Sequence, residues 1–206
     1  MKTLFLWLCF FSLIDLQAQK VVKKAFIGPR TESIHIDSQY CYQVELSTSK
    51  TNEVQVTANI EGEYAKDLLV SITESGTTIV VSAGFHPNFI TPNDKLSAHK
   101  VISIALLINL PEYREVHIYG TNSNVSVSGK YEKLDVKLAN GRCTLADVVE
   151  NVVVNTQKGD IVLKTSHGSI AAKSTYGTVY QEPIPEGDNQ YMLNTVEGNI
   201  HLTKTK

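Results

Sequence analysis

Arg142, Asp160, Tyr180 and His201 are the residues of this chain whose types and spacing could do chemistry together. Each follows a glycine by one or three positions: Arg142 after Gly141, Asp160 after Gly159, Tyr180 after Gly177 and His201 after Gly198. If those glycines mark equivalent turns, strand alternation sends all four side chains to one outer face. Arg142 would then pair with Asp160 on the next strand, and Tyr180 would offer a flat ring. Such a candidate contact strip suits hydrogen bonding and stacking on a sugar, and it would equally serve as an ordinary solvated face. The ion pair itself would add only ~0–1 kcal/mol in solvent.

Catalysis is harder to assemble. A polysaccharide-active site needs carboxylates converging within a few ångströms, whereas each outer column offers at most one, Asp160 being the best placed. Ser166-His167 sets a hydroxyl beside an imidazole, but neighbours along a strand point to opposite faces. His35, His86, His99, His117, His167 and His201 show no ligand spacing, so no zinc site is expected. Every glycine turn leads into a strand, where a phosphate-cradling loop would need a helix N-terminus. The reading is of no catalytic residues, no cofactor and no metal.

The elements that would position the strip are written in glycine. Gly120, Gly129, Gly141, Gly159, Gly168, Gly177, Gly187 and Gly198 are separated by 9, 12, 18, 9, 9, 10 and 11 residues. Asn151 fills the long gap, as the residue that best tolerates a left-handed backbone after glycine. Several of these positions open Gly-x-apolar-x-apolar runs, such as Gly159-Asp-Ile-Val-Leu163 and Gly198-Asn-Ile-His-Leu202. Each reads as a turn followed by a short strand. Antiparallel hairpins fit this rhythm, but alternate glycines also keep register. They stack Cys143, Ile161, Val179 and Ile200 in one inward column, and Leu145, Leu163, Gln181 and Leu202 in the next. That favours an all-β, right-handed parallel β-solenoid with coils of about 18–21 residues, whose neighbours bury one another's apolar pairs.

The first half is also rich in strands, including Tyr42–Leu46, Val54–Val56 and Thr78–Val81, between Ser/Thr/Asn turns. It lacks the glycine rhythm. Residues 19–99 are therefore expected to be an irregular β-rich part that caps the repeats of 100–206 within one continuous domain. A breaker-rich stretch with Pro87 and Pro92 would form the joint. The run Val101–Leu110 is apolar on both faces, as for a strand covered on each side.

Residues 1–18 carry Lys2, an apolar run from Leu4 to Ile14 and a small residue, Ala18. This is the layout of a secretory signal peptide. Without Lys2 and Asp15 the chain keeps 18 basic and 20 acidic residues, from totals of 19 and 21. That balance gives nucleic acid no basic stripe to bind. No later segment reaches the ~20 apolar residues of a membrane helix. Cys41 and Cys143 could form one pair in an oxidising compartment. The inward phase of Cys143 equally suits a buried thiol.

Thr156-Gln-Lys-Gly159-Asp-Ile161, Thr165-Ser-His-Gly168-Ser-Ile170 and Thr195-Val-Glu-Gly198-Asn-Ile200 repeat one unit, and Leu110-Pro-Glu-Tyr-Arg-Glu-Val-His-Ile118 leads into them. Here the chain resembles the putative-adhesin domain family of exported bacterial proteins, a relative of the head domain of autotransporter adhesins, over about residues 100–203. The resemblance implies a right-handed β-solenoid and an exported, periplasmic or secreted, location, with a cell-surface glycan or an envelope protein as partner. It supplies no catalytic residue. The function it implies is non-enzymatic binding or scaffolding at the cell envelope. The alternatives are an envelope-stress or signalling component that engages a protein partner, and a small polysaccharide-active enzyme.

Overall fold

The structure, a computed structural model, describes residues 19–62, 64–90 and 102–205. Residues 1–18, expected to be a signal peptide, and most of the Pro-rich joint, with His99, lie outside them. Among the described residues fifteen strands form one sheet. In chain order they are β1 (Gln19–Phe26), β2 (Ser33–Asp37), β3 (Gln43–Ser49), β4 (Glu53–Gly62), β5 (Leu68–Ser75), β6 (Thr78–Phe85), β7 (Ile102–Pro111) and β8 (Glu115–Asn122). There follow β9 (Asn124–Asn140), β10 (Cys143–Thr156), β11 (Ile161–Thr165), β12 (Ser169–Ser174), β13 (Val179–Gln181), β14 (Gln190–Thr195) and β15 (Ile200–Lys204). One short 3-10 turn, Ala65–Asp67, interrupts them.

The sheet curls into a nearly closed, barrel-like shell. Its front wall runs β1-β4-β7-β3-β9-β10-β11-β15-β13. The back wall runs β5-β6-β2-β8-β9-β10-β14-β12. The long strands β9 and β10 belong to both, because each turns a corner between the walls. Gly129 makes the corner in β9 with φ +109°, and Asp147 and Glu150 make it in β10 with φ +51° and +80°. The β10 ladder shifts register at those two places. A bulge bends a strand in just this way.

Alternation closes the core. Inward residues of both walls, among them Ile36, Val44, Leu106, Val136, Val154, Ile161 and Leu202, form one continuous buried cluster. The strand expected to be covered on both faces, β7, lies between β4 and β3 with Ile104, Leu106, Ile108 and Leu110 buried. Leu107 on its outer side is 42% exposed.

The all-β expectation holds, and the parallel solenoid does not. Two findings overturn it. The N-terminal half is no irregular cap: β1 pairs antiparallel with β4, β4 with β7 and β5 with β6, and these strands continue the same sheet. Nor do the later strands stack in chain order. The last strand, β15, lies between β11 and β13, and β14 lies between β10 and β12. The inward column therefore reads Cys143, Ile161, Ile200, Val179 across the wall. The physical reason is that equal spacing from a glycine fixes the phase of a strand without fixing its neighbour. The strand with the polar inward residue, Gln181, takes the outermost place, where Val179 and Gln181 are exposed.

Candidate contact face

Outward residues of the front wall line up across eight strands: Thr57, Leu107, Glu45, Ser126, Thr144, Val162, His201 and Tyr180. The next row along the strands carries Gln43, Asn124, Arg142 and Asp160. All four residues of the sequence-derived strip thus lie on this wall, within two adjacent rows.

Arg142 Nη2 is 3.7 Å from an Asp160 carboxylate oxygen, with side chains 62% and 32% exposed. At that exposure the pair adds ~0–1 kcal/mol. Asp160 has a second duty, since its Oδ1 accepts the backbone N–H of Asn199 at 2.8 Å. Asn199 Oδ1 in turn accepts the N–H of Thr178 at 2.9 Å, and Asn124 Oδ1 accepts that of Arg142 at 3.0 Å. These side chains cap the strand starts at the wall's edge, leaving the guanidinium as the group free to meet a ligand. Around them lies a depression of about 620 Å³, lined also by Gln43, Thr144 and Lys158. A second hollow of about 500 Å³ runs over Glu45, Ser47, Gln55, Thr57 and Leu107.

Tyr180 and His201 stack with ring centroids 4.8 Å apart and planes 13° from parallel. That separation equals one strand spacing, so the rings stand on edge from the sheet and face each other across the ladder. His201 covers one face of Tyr180. Because β13 is the terminal strand, the other face looks out past the edge, and Tyr180 is 52% exposed. The stacking surface therefore lies at the rim of the wall.

The turn glycines serve mostly by having no side chain. A Cβ on Gly159 would stand 1.7 Å from Gly141 O, one on Gly198 2.2 Å from Gly159 O, and one on Gly177 2.0 Å from Gly198 O. Gly141, Gly159, Gly198 and Gly177 thus form a ladder of backbone contacts down one corner of the barrel. Gly120, Gly168 and Gly187 press on Ser38, Tyr191 and His167 respectively. Asn151 lies within β10, paired with Lys133 and Gln190, just past the Glu150 corner.

Ser166 and His167 fall in the turn between β11 and β12, where alternation does not apply, and Ser166 Oγ lies 2.8 Å from His167 Nδ1. Among the described residues no third group orients that imidazole, which a nucleophile–base pair requires. Cys41 and Cys143 are buried free thiols, and burial pushes each up to about 12. Among the described residues no group of three or more His, Cys, Asp or Glu is arranged to hold a metal ion. No helix there is long and apolar enough to cross a membrane.

One cluster escaped the sequence reading. On the back wall His35, His117 and Asp135 are cross-strand neighbours. His117 Nε2 is 3.2 Å from Glu115 Oε1, and its Nδ1 is 3.7 Å from Asp135 Oδ2. Lys133 and Lys137 hold those two carboxylates at 2.9 and 3.0 Å. Burial, then the neighbouring His117, lowers the pKa of His35, while Glu115 opposes the shift. The bond from Lys133 is the main cause that lowers that of Glu115. The signal was present: Glu115 and Lys133, like His117 and Asp135, stand 18 residues apart. His35 comes from outside the repeats and could not be aligned.

Comparison with family models finds no match, and neither does comparison with curated proteins. Solved structures do match. A "putative cell adhesion protein" from Clostridium sporogenes is 11% identical, covers 92% of this chain and 100% of its own, and superposes with a TM-score of 0.61. A "putative adhesin" from Bacteroides fragilis is 11% identical over 92% and 99%, with a TM-score of 0.37. A "putative lipid binding protein" from Parabacteroides distasonis is 10% identical over 91% and 97%, with a TM-score of 0.30. The first likeness shows a shared fold and, at that identity, nothing finer. The other two carry no weight at their scores. These neighbours bear the names of adhesion and lipid-binding proteins, not of enzymes.

Proposed function

We propose that this chain is an exported, non-enzymatic, adhesin-like protein that binds a cell-surface glycan along its front wall. One observation carries the reading: polar side chains, the Arg142–Asp160 pair and the Tyr180–His201 stack share one outer face, above hollows and beside an open aromatic ring. Amides and hydroxyls there can exchange hydrogen bonds with sugar hydroxyls. Tyr180 can cover the apolar face of a ring, a use to which amphipathic aromatics are suited. The lead-in and repeat units that resemble the putative-adhesin family support export and a place at the envelope.

The test is a screen of the purified chain against a glycan array and cell-envelope fractions, repeated with Tyr180→Ala and Arg142→Ala. Asp160→Ala is the poorer probe, because it also strips the acceptor from Asn199 N–H. A saturable glycan signal lost in both variants supports the reading. A silent array with one envelope protein retained would replace it by a scaffold or signalling role.

A further inference from the structure

The back wall carries a second groove, independent of the front-wall reading, and its lining has a definite sign. Tyr119, Lys137, Asn155, Asn194 and Lys173 stand side by side on β8, β9, β10, β14 and β12. They border a groove of about 630 Å³ whose lining includes two lysines and no carboxylate. The hollows of the front wall differ, since each is lined by an acidic residue, Glu45 or Asp160.

We propose that this groove binds a carboxylate-bearing polysaccharide lying across the strands. Lys137 and Lys173 are three strand steps apart, ~14 Å at ~4.8 Å per step. That span suits two carboxylates on a chain better than one compact anion. Between the lysines Asn194 Nδ2 donates to Asn155 Oδ1 at 3.2 Å. The pairing fixes their orientation and leaves the remaining amide hydrogens and lone pairs for sugar hydroxyls. Tyr119, 39% exposed, flanks the groove as an aromatic wall, and Asp37 of β2 stands beyond it, outside the lining. Lys137 leans over its ring at 5.6 Å, and Asp135 holds the same ammonium at 3.0 Å. Lys137 is therefore pre-positioned but partly neutralised. Lys173 is exposed with no ion-pair partner among the described residues, and would meet the ligand's charge undivided.

The experiment titrates the full chain with polygalacturonate, with neutral dextran and with inorganic polyphosphate at low salt. Three variants follow: Lys173→Ala, Lys173→Arg, and Lys50→Ala on the distant β3–β4 turn as the control for general attraction of polyanions. Thermal melts of each variant confirm folding. The expected result is binding of polygalacturonate alone, weakened about tenfold by Lys173→Ala, the loss of one charge-assisted contact. Lys173→Arg should restore it and Lys50→Ala leave it unchanged. Equal weakening by Lys50→Ala, or no binding of polygalacturonate, would overturn the proposal. Polyphosphate bound as tightly, with the same loss in Lys173→Ala, would show a bare anion site and overturn the sugar assignment.

Discussion

Asp160 accepts the backbone amide of Asn199, 39 residues further along the chain, at 2.8 Å. Asn199 repeats the act on Thr178, which precedes it by 21 residues. Two side chains thereby record that the C-terminal strand β15 lies between β11 and β13. Replacing Asn199 by Ala orphans the Thr178 N–H at the barrel's edge. A lost hydrogen bond of this kind costs about 1 kcal/mol. For a chain this size the melting temperature should drop by about 2–4 °C, while Asn199→Asp, which keeps an acceptor, should lose less.

Gly159→Ala is expected to do far more damage. The new methyl would sit 1.7 Å from a backbone oxygen of Gly141, and neither neighbour is a flexible tip that can swing aside. Overpacking of this kind costs about 1–3 kcal/mol or more. The substitution should show as a lower urea midpoint. Gly76→Ala, on the tight β5–β6 turn with φ +64° and open space around its Cβ position, separates the causes. It should cost only the backbone strain, about 1 kcal/mol.

The buried thiols set an alkaline limit. Cys41 and Cys143 rise from 9.0 to about 12 because burial disfavours the thiolate, and for Cys41 the charge of Asp37 adds to the effect. A group whose folded value is raised contributes stability in full below its unfolded value, and loses it as pH climbs to the folded one. The window is pH 9 to 12, at up to ~1.4 kcal/mol per pH unit for each thiol. Urea midpoints should fall across it, and less steeply in Cys143→Ala. Native protein at pH 8 should leave both thiols unreactive towards a disulfide reagent and yield them on unfolding.

His35 works at the acid side. Its pKa is lowered, first by burial and then by His117. A histidine with a depressed folded value supplies stability in full above its unfolded pKa, near 6.5, and loses it as pH falls from there through the lowered folded value. Melting temperatures should therefore decline as pH falls below about 6.5, and His35→Gln should blunt the decline. The Glu115–Lys133 bond acts in a separate window: the carboxylate's lowered pKa keeps its contribution above 4.5 and loses it below. An unchanged acid slope in His35→Gln would count against this account.

The register of parallel neighbours was legible wherever the glycines repeat: Cys143 does face Ile161, 18 residues on. The order of the strands was not, because Gly177-Thr-Val179 and Gly198-Asn-Ile200 stand in the same phase to their glycines. The one residue that distinguishes them is Gln181, a polar group in an inward column, and polarity there marks an outermost strand. The N-terminal half hid its regularity for another reason. Its strands β1 and β4, and β7 that β4 pairs with, are antiparallel and held by alternation and not by repeated turns, so nothing in the spacing announced which strands would meet. At the candidate site Asp160 as the neighbour of Arg142 followed from phase, while His201 beside Val162 did not, because it depends on the strand order. The rim-facing ring of Tyr180 did not, since it depends on β13 being terminal.

Hydroxyl-radical footprinting of the chain on a bound cell-envelope glycan tests the contact face most directly. Tyr180 and His201 should lose reactivity on binding, while Tyr113, equally exposed at the β7–β8 turn, should not. Protection confined to other residues, with Tyr180 and His201 as reactive as in the free protein, would contradict the front wall as the binding face.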